Sequence, residues 1–229
     1  MSNPPDHPFT PDLFERMDES DDALFYAVPR KVVHIDPEAI RAVERWYAEI
    51  VPEGGELLDL MSSWRSHLPA QPRAARVVGL GMSAEEMEEN PDLTERVVHD
   101  LNAEPRLPFE EASFDATVLS VSLQYLIHPI ETFREVGRVL RAGAPFAVVL
   151  SHRCFPTKAV KIWHQCQSMR ERMELGMAYF QYSGGWVDVM GVDLRRGARG
   201  EQDPVVAVVG RKQGESEKSK HLGSGWRRR

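Results

Sequence analysis

From Asp36 onward, stretches with apolar residues at helical spacing alternate with short continuous apolar runs. Asp36-Pro-Glu-Ala supplies a helix N-cap, a proline at the first helical position and an acid in the first turn. Ile40, Val43, Tyr47 and Ile50 follow three or four residues apart, which predicts a helix to about Val51, stopped by the Pro52 to Gly55 turn. Glu56 to Leu60 and Arg76 to Leu80 read as buried strands. Ser83 and Glu86 form a capping-box pair for a helix that Asn90-Pro91 closes. Glu95 to His99 and Phe114 to Val121 predict two more strands. Ile130, Phe133, Val136 and Leu140 predict a helix from Pro129 that closes by Gly143, and Ala144 to Leu150 the strand after it. Thr157 to Tyr182 reads as mostly helical with a break near Gly176. Val205 to Val209 is a last strand, and Gly185 to Asp193 has room for another.

Strands alternating with helices imply a doubly wound α/β fold, a mostly parallel Rossmann-like sheet with helices on both faces. Ligands in such sheets bind beyond the carboxyl ends of the strands, near the point where the strand order reverses. That selects Asp59 to Arg65, Gly81 to Ser83, His99 to Asn102, Ser120 to Tyr125 and Ser151 to Cys154 for chemistry.

Composition narrows the picture. With 229 residues, 42% of them hydrophobic and 28% charged, the chain suits one folded body. The net charge of −7 disfavours a nucleic-acid partner, whose binding would rest on many Lys and Arg contacts to phosphate. The charge is uneven: residues 1–22 hold seven acids and one Arg, and residues 211–229 seven bases and two acids. Both ends are poor in apolar residues. The expectation is an unpacked acidic tail over 1–22, a body over 23–212 (an N-terminal lid and helix over 23–52, the core over 53–212), and an unpacked basic tail over 213–229. Cys154 and Cys166 are the only cysteines, too few for a disulfide framework. No apolar run approaches membrane-spanning length and the start has no signal-peptide pattern, so a cytoplasmic protein is expected. Histidines and cysteines show no metal-ligand spacing, and no metal site is expected.

Asp100-Leu-Asn, followed by Leu107-Pro-Phe109 and Ser113-Phe-Asp115, and Leu140-Arg-Ala-Gly143 before the fifth strand, resemble the ordered motifs of class I S-adenosylmethionine-dependent methyltransferases over roughly residues 57–212. Asp59-Leu-Met-Ser-Ser-Trp-Arg-Ser-His-Leu-Pro69 and Arg153-Cys-Phe-Pro-Thr-Lys158 look more closely like a methyltransferase-like group of plants and cyanobacteria. The resemblance implies S-adenosylmethionine as cofactor and a small-molecule acceptor of small or medium size.

The chain departs from that family at the cofactor loop. The family follows its first-strand acid with Gly-x-Gly-x-Gly, because side chains there would collide with the aminoacyl end of the cofactor. Asp59 is kept, but Met61, Ser63 and Arg65 stand where the glycines would be, and Gly81 replaces the acid that ends strand two and binds the ribose. Two outcomes follow: a remodelled cofactor site, or a non-catalytic methyltransferase fold serving as a binding or scaffold module. In the remodelled site Ser62, Ser63 and Arg65 would hold the cofactor carboxylate, while Met82, Leu101 and Asp100 would take the adenine. Gly81 would lie against the cofactor. His152 and Tyr125 are the candidate bases, and Tyr26, Tyr125 and Tyr182 the candidate substrate contacts. A nicotinamide enzyme is disfavoured, since no Gly-x-Gly-x-x-Gly follows the first strand.

Overall fold

The computed structural model describes residues 7–71, 73–195 and 203–214. Among the described residues six α-helices, α1 (Asp22–Tyr26), α2 (Pro37–Tyr47), α3 (Ala84–Glu88), α4 (Pro129–Val139), α5 (Lys161–Gln165) and α6 (Met169–Ser183), accompany seven strands. The strands are β1 (Glu56–Leu60), β2 (Arg76–Gly81), β3 (Glu95–Val98), β4 (Ala116–Ser120), β5 (Pro145–Ser151), β6 (Trp186–Asp193) and β7 (Val205–Lys212). They form one sheet in the order β3-β2-β1-β4-β5-β7-β6, with only the β7 pairings antiparallel. This is the expected doubly wound class. After β3 the chain crosses to the other side of β1, so the order reverses between β1 and β4.

Strand residues alternate between two apolar layers. Leu58, Leu60, Leu119, Phe146 and Val148 meet Phe133 of α4 and Phe180 of α6 on one face. Leu57, Val118, Ala147 and Val149 meet Val43 and Tyr47 of α2 on the other. Asp36 caps α2 by accepting from Ala39 N at 2.8 Å, and Tyr47 Oη lies 2.8 Å from Ser120 Oγ, tying that helix to the end of β4. The long helical stretch breaks at Cys166 to Ser168, not near Gly176, where α6 runs through. A Cβ at Gly176 would sit 3.3 Å from Val208 Cγ2, so the glycine serves close helix-sheet packing. Among the described residues no helix lies between β1 and β2, whereas α4 follows β4 and α5 and α6 follow β5.

The expected unpacked acidic tail over 1–22 is corrected for residues 7–22; residues 1–6 lie outside the described residues. Phe9 meets Tyr179 and Tyr182 edge-on at 5.2 and 5.6 Å. Asp22, on α1, is 7% exposed and accepts both Arg16 Nη1 bonds at 2.8 Å and one from Asn102 Nδ2 at 2.9 Å. The Lys158 ammonium, 1% exposed, lies 3.1 Å from Asp22 Oδ1 and 3.2 Å from Asp18 Oδ2. Hydrogen bonds from Asn102, Arg16 and Lys158 overcome the cost of burial and hold the Asp22 carboxyl below its usual range. Acid content alone cannot reveal that a lysine 136 positions away neutralises the segment. Gln213 N bonds Gly185 O at 2.9 Å, and the rest of the expected basic tail, residues 215–229, lies outside the described residues. No helix among the described residues is long and apolar enough to cross a membrane.

Asp22→Ala leaves two buried cations under-compensated, so it is expected to cost about 3–5 kcal/mol in chemical denaturation and to expose residues 7–35 to limited proteolysis. A loss below 1 kcal/mol with unchanged proteolysis would contradict this account of the N-terminal segment.

Candidate functional site

Asp59 is the fixed point of the loop after β1. Burial to 2% exposure pushes its carboxyl up to about 7, opposed by hydrogen bonds from Ser62 Oγ at 2.5 Å and Ser66 Oγ at 2.6 Å. Asn90, itself 1% exposed, donates to Ser66 Oγ and Ser63 O at 2.8 Å, and Ser62 N donates to Leu80 O of β2 at 2.8 Å. Residues 61–66 are thus stitched down onto the end of β2 by side chains, where a helix would have organised them. Accommodation comes from β2: a Cβ on Gly81 would stand 2.1 Å from Ser62 O, and one on Gly79 would stand 2.4 Å from Leu93 Cδ1. The acid expected at the end of strand two is therefore excluded sterically while the loop takes this path.

Between the ends of β1, β2, β3 and β4 opens a cleft of about 1170 Å³, counting its mouth. Asp59, Met61, Ser62, Ser63, Arg65, Gly81, Met82, Asp100 and Leu101 all line it, as do Tyr26 and Tyr125. Met61, His67 and Val121, non-glycine residues held at φ 55°, 56° and 52°, line it too, so local backbone strain collects there. One wall comes from residues 26–35 of the N-terminal segment, with Phe155 beside it. That segment is anchored by Arg30 N to Glu86 Oε1 at 2.5 Å, Lys31 to Glu89 at 2.6 Å and Trp64 Nε1 to Val32 O at 3.3 Å.

Two expected residues lie elsewhere. His152 is not among the lining residues; its Nε2 is 3.5 Å from Asp203 Oδ1, because the chain leaving β5 passes the β6–β7 connection before Phe155 returns to the cleft. Tyr182, on α6, packs on Phe9. Tyr125 is in place but unsuited to the role of base: burial pushes its phenol up to about 12, and its oxygen already accepts from Phe155 N at 2.8 Å. The expected loop donors are also committed: Ser62 to Asp59, Ser63 Oγ to Glu86 Oε2 at 2.5 Å, and Arg65 Nη1 to the carbonyls of Trp64 and Glu89 at 2.8 and 3.3 Å.

Arg30, His34, Glu86 and Phe155, which the sequence did not mark for the site, also line the cleft, as does His67 beside the loop. His34 is pushed down by burial, stacks edge-on against Phe155 at 4.7 Å, and its ring nitrogens bond nothing among the described residues. Burial pushes His67 down to about 4. Glu86 had been singled out only as a capping residue; the Ser83 Oγ to Glu86 N bond exists at 3.3 Å, but the carboxylate serves Ser63 and Arg30 instead. Among the described residues no cluster of His, Cys, Asp or Glu could hold a metal. Cys154 and Cys166 are free, and burial pushes both thiols up.

Residues 62–148 match the family model described as a methyltransferase domain. No curated protein sequence matches the chain. Among solved structures, the protein crystallised with the Trm112 methyltransferase activator of Haloferax volcanii aligns at TM-score 0.55 and 16% identity, over 77% of this chain and 92% of that one. Geranyl diphosphate C-methyltransferase of Streptomyces coelicolor, solved with S-adenosyl-L-homocysteine, aligns at 0.52 and 17% identity, over 76% and 77%. The [4+2]-cyclase SpnF aligns at 0.52 and 17%, over 76% and 82%. At these identities the likeness establishes the fold.

Asp59 is protonated in the folded protein up to about pH 7, whereas its ordinary value is 3.8, so the unfolded state releases the proton first. Stability from this group therefore falls as pH rises from about 4 to 7 and is level above. Asp59→Asn, which can still accept from both serines, should gain stability over wild type across that window in urea titrations at pH 4.5 and 8; a pH-independent difference would contradict the buried acid. Gly81→Ala should cost about 1–3 kcal/mol or more by the same measurement, and a neutral result would mean that the loop does not lie on β2.

Proposed function

We propose that the chain is a class I S-adenosylmethionine-dependent methyltransferase that binds its cofactor in the cleft at the ends of β1 to β4 and methylates an oxygen, nitrogen, sulfur or carbon of a small or medium-sized acceptor. The observation that carries the reading is the meeting of four strand ends and their turns around one cleft at the reversal of strand order. When bound, the cofactor supplies an electrophilic sulfonium methyl group.

The residues present suit its nucleoside end. Met82 and Leu101 offer apolar surface for the adenine. Asp100 uses Oδ1 to accept from Asn102 N at 2.8 Å and Ala103 N at 3.3 Å, which leaves Oδ2 for the amino group. At the aminoacyl end the hydroxyls of the loop after β1 are already spent, and the cleft must hold that end by other means.

Tyr26, Ile35 and Phe155 form an apolar wall that keeps water from the transfer zone and seats the acceptor. Holding two reactants in line supplies roughly 7–11 kcal/mol of a barrier of this kind. For an acceptor that must lose a proton, His34 takes it: the ring is neutral at pH 7, faces the cleft and is engaged by no hydrogen bond among the described residues.

At about 100 times its dissociation constant, S-adenosylmethionine or its demethylated product should add about 2.7 kcal/mol and raise the melting temperature by roughly 5–11 °C. No shift with either at millimolar concentration would contradict the cofactor site.

A further inference from the structure

We infer that Arg30 binds the carboxylate of the cofactor's aminoacyl end, replacing the side chains of the loop after β1. The inference rests on the cofactor-binding reading above. Ser62 and Ser63 give their hydroxyls to Asp59 and Glu86, and among the described residues no helix lies between β1 and β2. Arg65 lies exposed at the rim, stacked on Trp64 at 4.2 Å and bonded to two carbonyls.

The charges around the cleft make a cation necessary. Glu86 and Asp100 line it beside Asp22, which Arg16 and Lys158 neutralise, and the buried, protonated Asp59, and Arg30 and Arg65 are its only Lys or Arg residues among those described. A carboxylate entering among those acids needs a countercharge to offset repulsion and desolvation.

Arg30 is held ready for that role. Its backbone N–H donates to Glu86 Oε1 at 2.5 Å, and the other oxygen of the same carboxylate accepts from Ser63 Oγ at 2.5 Å. Glu86 thus ties Arg30 to the very loop whose side chains are spent. The guanidinium lies 3.8 Å from the Phe25 ring centroid and 5.5 Å from that of Phe155, with Nε donating to Phe25 O at 3.2 Å. Two aromatic rings and one carbonyl fix the plane of the fork. Both Nη groups lack an acceptor, and no acid lies within 4 Å of them, among the described residues. A planar donor pair with a fixed orientation and no partner is the arrangement that matches a carboxylate bidentately.

Calorimetric titration with S-adenosylmethionine and with decarboxylated S-adenosylmethionine, which differs by the carboxylate alone, tests the assignment. Wild type should prefer the carboxylated ligand. Arg30→Met should weaken it about tenfold to a hundredfold while leaving the decarboxylated ligand unchanged, and Arg30→Lys should restore part of the preference. An Arg30→Met protein that keeps the wild-type preference, or that weakens both ligands equally, overturns the assignment. Wild-type protein that binds neither ligand overturns the cofactor reading itself. Because the ratio of two affinities is read within each variant, a general loss of folded protein cannot imitate the expected result.

Discussion

The buried carboxyl of Asp59 sets the path of the chain around the cleft. Two serine hydroxyls, three and seven residues on, converge on one of its oxygens and draw the loop after β1 down across the end of β2. From that single constraint follow Gly81 of β2, which leaves room for the loop, and the hydrogen bonds of Asn90, which hold its far side. The loop needs no glycine of its own because its strained residues, Met61 and His67, are held by this network. Glycine has moved from the loop to the strand beneath it. An acid at the end of β2 and a loop in this position are mutually exclusive, so the two departures from the methyltransferase pattern that the sequence resembles are one structural event.

The second dependency is the N-terminal segment. It reaches the cleft only because Asp22 is buried among Arg16, Lys158 and Asn102, an arrangement whose desolvation cost is met by pairing and hydrogen bonding. Asn102 belongs to the turn after β3 and also bonds Tyr125 O, so the network links the segment to two of the turns that form the site. Beyond Asp22 the chain contributes Tyr26, Arg30 and His34 to the cleft wall. The site is built jointly by the sheet and by a segment that precedes it in sequence. Similar sheets serve proteins described as methyltransferases and one described as a cyclase, so chemistry resides in such additions more than in the sheet.

Much of this was legible in the sequence. Apolar runs marked five of the seven strands, β3 was a weaker candidate and β6 fell in a stretch with room for one, and Asp36 and Ser83 marked helix starts through their capping chemistry. Strand ends located the nine residues proposed for the cofactor, every one of which lines the cleft. What composition and spacing could not show is pairing over long range. The acids of residues 7–22 looked solvated because Lys158 is far away in sequence, and Arg30 and Glu86 looked like an ordinary loop cation and a cap residue because their connection spans 56 positions. His152 was misplaced because proximity to a strand end does not say where the chain turns next. One further signal was present: two glycines in a buried strand, Gly79 and Gly81, indicate close approach by neighbouring groups, here the Leu93 side chain and the Ser62 backbone.

The central claim, that the loop after β1, the turn after β3 and the N-terminal segment form one cofactor site, is tested most directly by amide hydrogen exchange with and without S-adenosylmethionine. The account predicts added protection in residues 26–35, 61–66 and 99–102 together, with the outer strands β6 and β7 unchanged. Exchange that is unaffected by the ligand, or protection confined to regions outside those three, would contradict it.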